Sequence, residues 1–259
     1  MRQRLYRTPA VVLKRMDLGE ADRIVTLYTR DHGKLRAVAK GVRKSTSRSA
    51  GHLELFTLAD LLLAVGRELD VVSQAETIRA FRKVRENVVL TTHAYYLAEL
   101  ADVLTEDRMD NRAVFDALVE GFSALGGHTD AALVVIAFQL RLLHALGYRP
   151  ELRECVTCRA IIQPGPNRFT AAGGGVVCPA CSPREPSATL VSVPALKLLR
   201  HLQHTPAPSL VVPGAVAREA ESILREYTEQ LVERRLRSPA LIARVQEAGR
   251  QSELYSWPA

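Results

Sequence analysis

Four cysteines in two closely spaced pairs are the feature that most restricts how this chain can fold. Cys155 and Cys158 form one C-x-x-C motif, and Cys178 and Cys181 form another. Each motif directs two thiolates toward one point, and two motifs complete the tetrahedron of sulfur ligands that Zn²⁺ accepts. The interval between the pairs is typical of zinc sites, and the chain has no other cysteine. The sequence therefore predicts one structural zinc ion held by all four thiolates.

Other interpretations of the cysteines are weaker. Disulfides are rare in a reducing cytosol, and the N-terminal arginines are not followed by the apolar run of a secretory signal. A redox dithiol needs a C-x-x-C at a strand–helix junction, which this Gly- and Pro-rich segment does not resemble. A catalytic zinc would need an open position, and four thiolates leave none. The nearby Arg153, Arg159 and Arg168 could touch nucleic acid, although solvated arginines explain them equally well.

Short apolar stretches separated by turn residues fill the first 80 residues. They are rich in β-branched residues, and Asp31-His32-Gly33 is a turn signal between two of them. Strands at this spacing predict a small closed barrel. The stretches are Val11–Leu13, Arg23–Thr29, Leu35–Ala39, Leu53–Val65 and Leu69–Val72.

From residue 81 the apolar residues repeat with helical spacing. One face is formed by Leu90, Ala94, Leu97, Ala101 and Leu104, and Gly126-Gly127 ends the next helix. A third helix, capped by Thr129 or Asp130 and ending before Gly147, is apolar nearly all round, which predicts a central position in a helical bundle.

The sequence thus predicts an α+β chain with several parts. An N-terminal barrel (1–80) precedes a helical bundle in two parts (81–150 and 188–250), with the four-cysteine zinc module inserted between them (151–187) and a loose tail at the end (251–259). No run of about 20 apolar residues is present, so no membrane contact is expected.

The positive charge is concentrated at the N-terminus. Residues 1–50 hold thirteen Lys or Arg and four acids, a net charge of +9, whereas the whole chain carries +7. Such an excess indicates a polyanion partner, although a solvated basic surface is the simpler alternative. Lys40–Gly51 predicts a mobile basic loop, and Lys34 and Arg36 should share one face of a strand. The candidate DNA contacts are Arg15, Arg23, Lys34, Arg36, Lys40, Arg43, Lys44 and Arg48.

Catalytic motifs are missing from the sequence. It has no phosphate-binding Walker loop, no G-x-S-x-G and no H-E-x-x-H, so no catalytic residue and no enzymatic activity are predicted. Asp17, Glu20 and Asp22 could be Mg²⁺ ligands, but an acidic turn that pairs with Arg15 or Arg23 is the better interpretation. The aromatic residues Tyr6, Tyr28 and Phe56 could stack on bases, although aromatics in a barrel are more often core residues.

The run GEADRIVTLYTRDHGKLRAVAKGVRK, Gly19 to Lys44, resembles the N-terminal signature of the bacterial RecO family of recombination mediators. The order of strands, helices, paired C-x-x-C motifs and further helices is similar along the rest of the chain. The resemblance implies an OB-fold barrel, a helical domain and a four-cysteine zinc module. It also implies a RecF-pathway protein of the cytoplasm and nucleoid. Such a protein binds single- and double-stranded DNA, anneals complementary strands, engages single-strand-binding protein and works with RecR to load RecA.

Three other functions stay open at this point. The basic surface could dock acidic protein partners, alone or in addition to DNA. The acidic turn could belong to a metal-dependent nuclease. Finally, a zinc ribbon beside a barrel could mark an RNA-binding or transcription-associated factor.

Overall fold

The computed structural model describes residues 4–127, 130–205 and 210–254, with side chains described up to residue 248. These residues form two compact units. One holds the described residues up to Gly126 and from Ala240 onward, and the other holds those between Gly127 and Pro239. The sequence-based domain boundaries follow changes of secondary structure, a different criterion from compactness, and stay predictions.

Five strands form the sheet of the first unit, which closes on itself. The order is β1-β2-β3-β5-β4, and β4 pairs with β1. The β3–β5 pair is parallel and the other pairs are antiparallel. The strands are β1 (Leu5–Leu18), β2 (Asp22–Thr29), β3 (Gly33–Ala39), β4 (Leu58–Ala64) and β5 (Asp70–Arg79).

Alternation along the strands fills the interior of this sheet. Side chains of a strand point in turn to opposite faces, so Val25 and Leu27 of β2 face the same interior as Leu35 and Ala37 of β3. Leu61 of β4 packs there too. All five residues are at most 1% exposed. The outward face of the same strands consists of the residues between them, and on β3 these include the candidate DNA contacts Lys34 and Arg36.

Two strands differ in length from the predictions. The apolar run from Leu53 begins with the end of a helical turn, and β4 starts only at Leu58. Leu53 is nevertheless buried in the barrel core, which explains why the run resembles one long strand. The last strand continues from the predicted Val72 to Arg79. Its second half is mostly polar and mostly exposed, and that polarity conceals the strand.

The predicted turn at Gly33 is confirmed, and its glycine is required twice over. Gly33 has φ +62°, and a Cβ there would lie 1.9 Å from the Met109 carbonyl oxygen. We expect Gly33→Ala to lower the free energy of unfolding by several times the roughly 1–2 kcal/mol of left-handed strain alone. Gly19→Ala is the matched control, because Gly19 has φ +58° with no atom within 4 Å of such a Cβ. Urea denaturation of both variants tests this; equal losses would contradict it.

Three helices follow the sheet within the first unit: α1 (Arg82–Glu86), α2 (Val88–Leu104) and α3 (Arg112–Leu125). The side chain of Asn87 caps α2 by accepting the Leu90 N–H, and Asn111 caps α3 by accepting the Val114 N–H. The predicted apolar face of α2 is confirmed at its centre, where Ala94, Leu97 and Ala101 are buried.

The second unit contains α4 (Ala131–Ala145), α5 (Val193–Leu202) and α6 (Gly214–Val232). Asp130 caps α4, as predicted, by accepting the Ala132 N–H, whereas the alternative cap Thr129 lies outside the described residues. Most of α4 is buried. Its buried Gln139 donates to the Leu224 carbonyl and the Thr228 hydroxyl of α6, so the packing of these two helices is specified by polar as well as apolar contacts.

Three short strands form a separate sheet in the cysteine segment, in the order β7-β6-β8. They are β6 (Arg168–Thr170), β7 (Gly175–Val177) and β8 (Thr189–Leu190). The last helix, α7 (Ser238–Leu254), corrects the prediction that a loose tail starts at residue 251, since Gln251–Leu254 are helical. None of these four residues is Gly or Pro, so nothing in this stretch forces the helix to end before residue 251. Within the described ranges, no helix combines the length and apolar character needed to span a membrane.

Candidate metal centre and nucleic-acid interface

The structure brings all four cysteines together in the second unit. Their Sγ atoms lie within 4.8 Å of one another, and the Sγ atoms of Cys158 and Cys178 are 3.8 Å apart. A tetrahedron with Zn–S bonds near 2.3 Å separates its sulfur atoms by about 3.8 Å. Cys155 and Cys181 are buried while Cys158 is exposed. The predicted convergence of the two motifs is confirmed, and the cluster can hold one metal ion.

Backbone turns hold the cysteines in this position. The Arg159 N–H donates to the Cys155 carbonyl, and the Cys155 N–H donates to the Ala160 carbonyl. Arg159 closes this turn with φ +63°. In the second motif the Cys181 N–H donates to the Cys178 carbonyl. The Val156 N–H donates to the Val176 carbonyl of β7 at 3.0 Å, so backbone hydrogen bonds fix the first turn to the small sheet.

The thiols differ in acidity. Burial raises the pKa of Cys155, but the backbone N–H groups of Cys178, Cys158 and Thr157 outweigh it and lower this pKa to about 6. Hydrogen bonds with the other three sulfurs, together with burial, raise the pKa of Cys181 to about 12. Four thiols at one point thus share a site that favours ionisation of the first and resists ionisation of the last. A bound cation removes this conflict, because it stabilises all four thiolates.

The acidic turn forms no second metal cluster. Within the part of the chain that the structure describes, the four cysteines are the one group of three or more metal-ligating residues that converge. Asp17 instead pairs with Arg23 at 2.9 Å and with Arg43 at 3.5 Å. Asp22 accepts the Gly41 N–H at 2.7 Å. The interpretation of this turn as structural is therefore supported.

An apolar row crosses the outward face of four adjacent strands. Met16 is opposite Ile24, Ile24 is opposite Val38, and Val38 is opposite Val71. These four residues, called the apolar row below, alternate with interior residues such as Val25 and Ala37 and so point outward. Met16 is 59% exposed, and the other three are half-buried. An outward apolar row on a basic sheet is a surface that can contact uncharged parts of a ligand.

Exposed cations occur on β3 beside this apolar row and in the residues that follow that strand. Arg36 lies two residues before Val38 on the same face of β3, and Lys40 follows the end of that strand. Lys44 and Arg48 extend from the following loop, and all four side chains are exposed. None of the four forms an ion pair with another described residue, in contrast to the neighbouring arginines. They are the candidate contacts that the structure leaves available for an anion.

Lys34 is removed from this candidate surface. It is 9% exposed, and its ammonium group donates to the Asp102 and Thr105 carbonyl oxygens, each at 2.6 Å. It also faces the carboxylates of Asp102 and Asp107 at 3.6 and 3.5 Å. Lys34 and Arg36 do lie on one face, as alternation requires, but the end of α2 covers that face at Lys34. The negative end of a helix is a favourable partner for a lysine.

Three further candidates hold acidic partners within the barrel unit. Arg15 contacts Glu54 at 2.6 Å, and Arg23 contacts Asp17. Arg43 pairs with Asp17 and donates to the Gly19 carbonyl. Each retains some exposure, but a DNA phosphate would have to compete with these contacts. Their role as DNA contacts stays a prediction.

The aromatic residues take structural places. Tyr28 and Phe56 are fully buried, which excludes them as stacking surfaces and confirms the core interpretation. Tyr6 donates to Asp70 and packs against His32 with ring centroids 4.5 Å apart. Sequence reasoning missed the apolar row instead. Its signal was available as apolar residues at outward positions of the predicted strands, for example Ile24 between Arg23 and Val25.

Two family models match this chain, and together they cover most of it. Residues 1–81 match the family described as "Recombination protein O N terminal", and residues 85–240 match "Recombination protein O C terminal". A DNA repair protein RecO of Roseiflexus sp. (strain RS-1) is 42% identical over 255 residues, covering 97% of this chain and 90% of that protein. The RecO of Pelotomaculum thermopropionicum is 37% identical, covering 95% and 96%. That of Symbiobacterium thermophilum is 34% identical, covering 94% and 99%.

Proposed function

This chain belongs to the recombination protein O (RecO) family, which gives it a role in DNA repair, and we propose that it acts by binding and annealing DNA strands. The observation that carries the proposal is the apolar row together with the exposed cations Arg36, Lys40, Lys44 and Arg48, none of which forms an ion pair with another described residue. In this arrangement bases contact the aliphatic side chains while phosphates contact the cations.

The strand order supports an OB fold for the barrel. Five strands in the order β1-β2-β3-β5-β4, with a parallel β3–β5 pair, form a closed sheet. OB folds bind oligonucleotides across the face of their second and third strands. The central part of the apolar row, Ile24 and Val38, lies on those strands.

Annealing by this surface needs no chemical step. Two complementary strands repel each other as polyanions, and cations that neutralise phosphates allow them to approach. In this proposal the aliphatic side chains contact bases without hydrogen bonds, so the hydrogen-bonding edges of the bases stay free to pair with a complementary strand. We therefore propose a non-enzymatic protein that binds both single- and double-stranded DNA.

Zinc is the metal that we propose for the four-cysteine cluster. Four thiolates at about tetrahedral separation suit Zn²⁺, and no ligand position stays open for a substrate. The ion, when bound, cross-links the two turns that carry the cysteines. Tyr227 of α6 connects the small sheet to the helices of its own unit, because its ring packs edge-on against Phe169 of β6 and its hydroxyl donates to the Tyr148 carbonyl.

The proposed protein partners and cellular location are taken from the family. A protein that anneals strands during recombination must act on DNA coated by single-strand-binding protein. We propose that it does so together with RecR, that it assists the loading of RecA, and that it works in the cytoplasm at the nucleoid. Family membership supports a DNA repair setting for these partners.

DNA binding should depend on two exposed cations, Arg36 on β3 and Lys40 directly after that strand. We expect Arg36→Gln/Lys40→Gln to reduce the slope of log affinity against log salt for single-stranded DNA by about 1.4, because each lost phosphate contact removes about 0.7. Fluorescence anisotropy with a labelled oligonucleotide across a salt series measures this slope. Arg82→Gln/Arg112→Gln removes the same charge from exposed positions on α1 and α3 and should leave the slope nearly unchanged. Equal effects of the two variants would contradict the assigned surface.

A further inference from the structure

A group of basic side chains near the cysteine module has no role in the function proposed above. Arg149 follows α4, Arg153 precedes the first cysteine, and Arg200 lies in α5. His204 follows the end of α5. These four residues, called the arginine cluster below, belong to one compact unit. They come from two chain segments about 50 residues apart, so the fold and not local sequence brings them together.

Two guanidinium groups in this arginine cluster converge on one atom. Nη2 of Arg149 and Nη2 of Arg153 each lie 3.3 Å from Nε2 of His204. Arginine can only donate, so this ring nitrogen must be the acceptor for both. A ring nitrogen has one lone pair, and both contacts are longer than the usual 2.9–3.0 Å. The two arginines are exposed. Apart from a 3.4 Å contact between Arg149 Nη2 and Gln203 Oε1, their guanidinium groups form no further hydrogen bond with the described residues.

The third arginine is short of acceptors as well. Arg200 donates through Nε to the Leu152 carbonyl at 2.8 Å. Its Nη2 atom is buried and finds no hydrogen-bond partner among the described residues. Burial, together with the positive charge of Arg153, lowers the pKa of Arg200. A buried guanidinium nitrogen without an acceptor is costly, and such atoms in a native structure point to a missing partner.

The acidic side chain near the arginine cluster, Glu151, already accepts hydrogen bonds from the backbone. Glu151 is the acid that acts on it, since its charge partly offsets the lowering of the Arg200 pKa. Burial opposes the charged form of Glu151, but backbone N–H groups and the charge of Arg149 outweigh it and lower the pKa of Glu151. Its Oε1 atom, however, accepts the backbone N–H groups of Arg153 and Glu154 at 2.7 and 3.1 Å. That carboxylate is thus held by the backbone, and the guanidinium donors facing outward are left for another anion.

We infer that the arginine cluster binds a backbone phosphate of DNA, as a contact separate from the barrel surface. Guanidinium groups match the oxygens of a phosphate with paired hydrogen bonds. Two of them within hydrogen-bond distance of one imidazole nitrogen can contact a single phosphate. The inference rests on the proposed function, namely that this protein binds DNA. It adds a DNA contact on the unit that carries the cysteines.

Double substitution of the two exposed arginines tests the inference. We expect Arg149→Gln/Arg153→Gln to lower the salt slope of single-stranded DNA binding by about 0.7 to 1.4, for one or two lost phosphate contacts. Arg184→Gln/Arg218→Gln is the matched control, because it removes two exposed arginines from the same unit. Thermal unfolding of each variant checks that the fold persists. A slope lowered in the first variant and unchanged in the control supports the site.

Other results would overturn it. Equal slopes in wild type and the Arg149/Arg153 variant would remove the DNA contact while leaving the barrel proposal intact. Equal losses in both variants would show a general charge effect. If inorganic phosphate binds and loses affinity in the Arg149/Arg153 variant while DNA binding does not change, the cluster takes a small oxyanion and not a strand. Failure of the wild-type protein to bind DNA would overturn this inference and the proposed function together.

Discussion

Replacing Cys155 with serine is expected to abolish stoichiometric zinc binding and to lower the melting temperature of the protein by about 10 °C. Cys155 is buried, and its sulfur accepts the Cys178 N–H at 3.4 Å, so it links the two motifs even before a metal binds. A complete structural zinc site contributes on the order of 10 kcal/mol. We expect the loss of one thiolate to remove about 3 kcal/mol of this contribution. In a chain of this size, a loss of about 3 kcal/mol lowers the melting temperature by about 10 °C.

The readout is zinc content per chain together with thermal unfolding. Thr157→Ser is the control, because Thr157 stands exposed between the ligands and serine keeps its backbone N–H. A chelator should lower the melting temperature of wild type and of the Thr157 variant, and should have little effect on the Cys155 variant. One zinc ion per chain in the Cys155 variant, or none in the wild type, would contradict a four-thiolate zinc site.

Replacing Asp70 with asparagine should destabilise the first unit by about 3 kcal/mol, the low end for breaking a buried charge pair. Asp70 has no exposed surface. It accepts hydrogen bonds from Tyr6, from the Gly66 N–H at 3.1 Å and from Arg108 at 3.0 Å. Arg108 is half exposed and can regain water, which keeps the loss from being larger. Asp60→Asn on β4 breaks the exposed pair with Arg7 and should cost less than about 1 kcal/mol.

The effect of Asp70 should also depend on pH. Burial opposes the charged carboxylate, but the hydrogen bonds from Tyr6, Gly66 and Arg108 outweigh it and hold the pKa of Asp70 below its ordinary value. A lowered pKa in the folded state contributes stability that is complete above the ordinary value and is lost as pH falls through the lowered one. Urea denaturation should therefore show a constant difference between wild type and Asp70→Asn above about pH 5, narrowing below about pH 4. A difference that does not change down to pH 2 would contradict this.

The features that sequence predicted well are those fixed by local chemistry. Two C-x-x-C motifs converge because four thiolates have few other stable arrangements in a reduced protein, and the structure brings them together. The turn at Gly33 and the cap at Asp130 likewise follow from residue types that suit those backbone conformations. Such features need no knowledge of what packs against them.

The features that sequence missed depend on distant residues. The alternation of the strand sequence does not distinguish Lys34 from Arg36. In the structure, however, the end of α2 covers Lys34 and leaves Arg36 exposed. Tyr6 lies far before Asp70 in the sequence and Arg108 lies well after it, yet both side chains donate hydrogen bonds to its carboxylate. The apolar row appears only when four strands are placed in register. Charge shows that a surface is basic, whereas tertiary cover decides which charges stay free.

Strand annealing is the measurement that tests the central claim most directly. Two complementary oligonucleotides, labelled as a fluorescence pair, are mixed with protein in the absence of nucleotide and divalent metal. The account predicts that wild type accelerates annealing, that salt suppresses the acceleration, and that Arg36→Glu/Lys40→Glu loses most of it while Arg82→Glu/Arg112→Glu retains it. Annealing that requires a nucleotide or Mg²⁺, or that survives charge reversal at Arg36 and Lys40, would contradict the account.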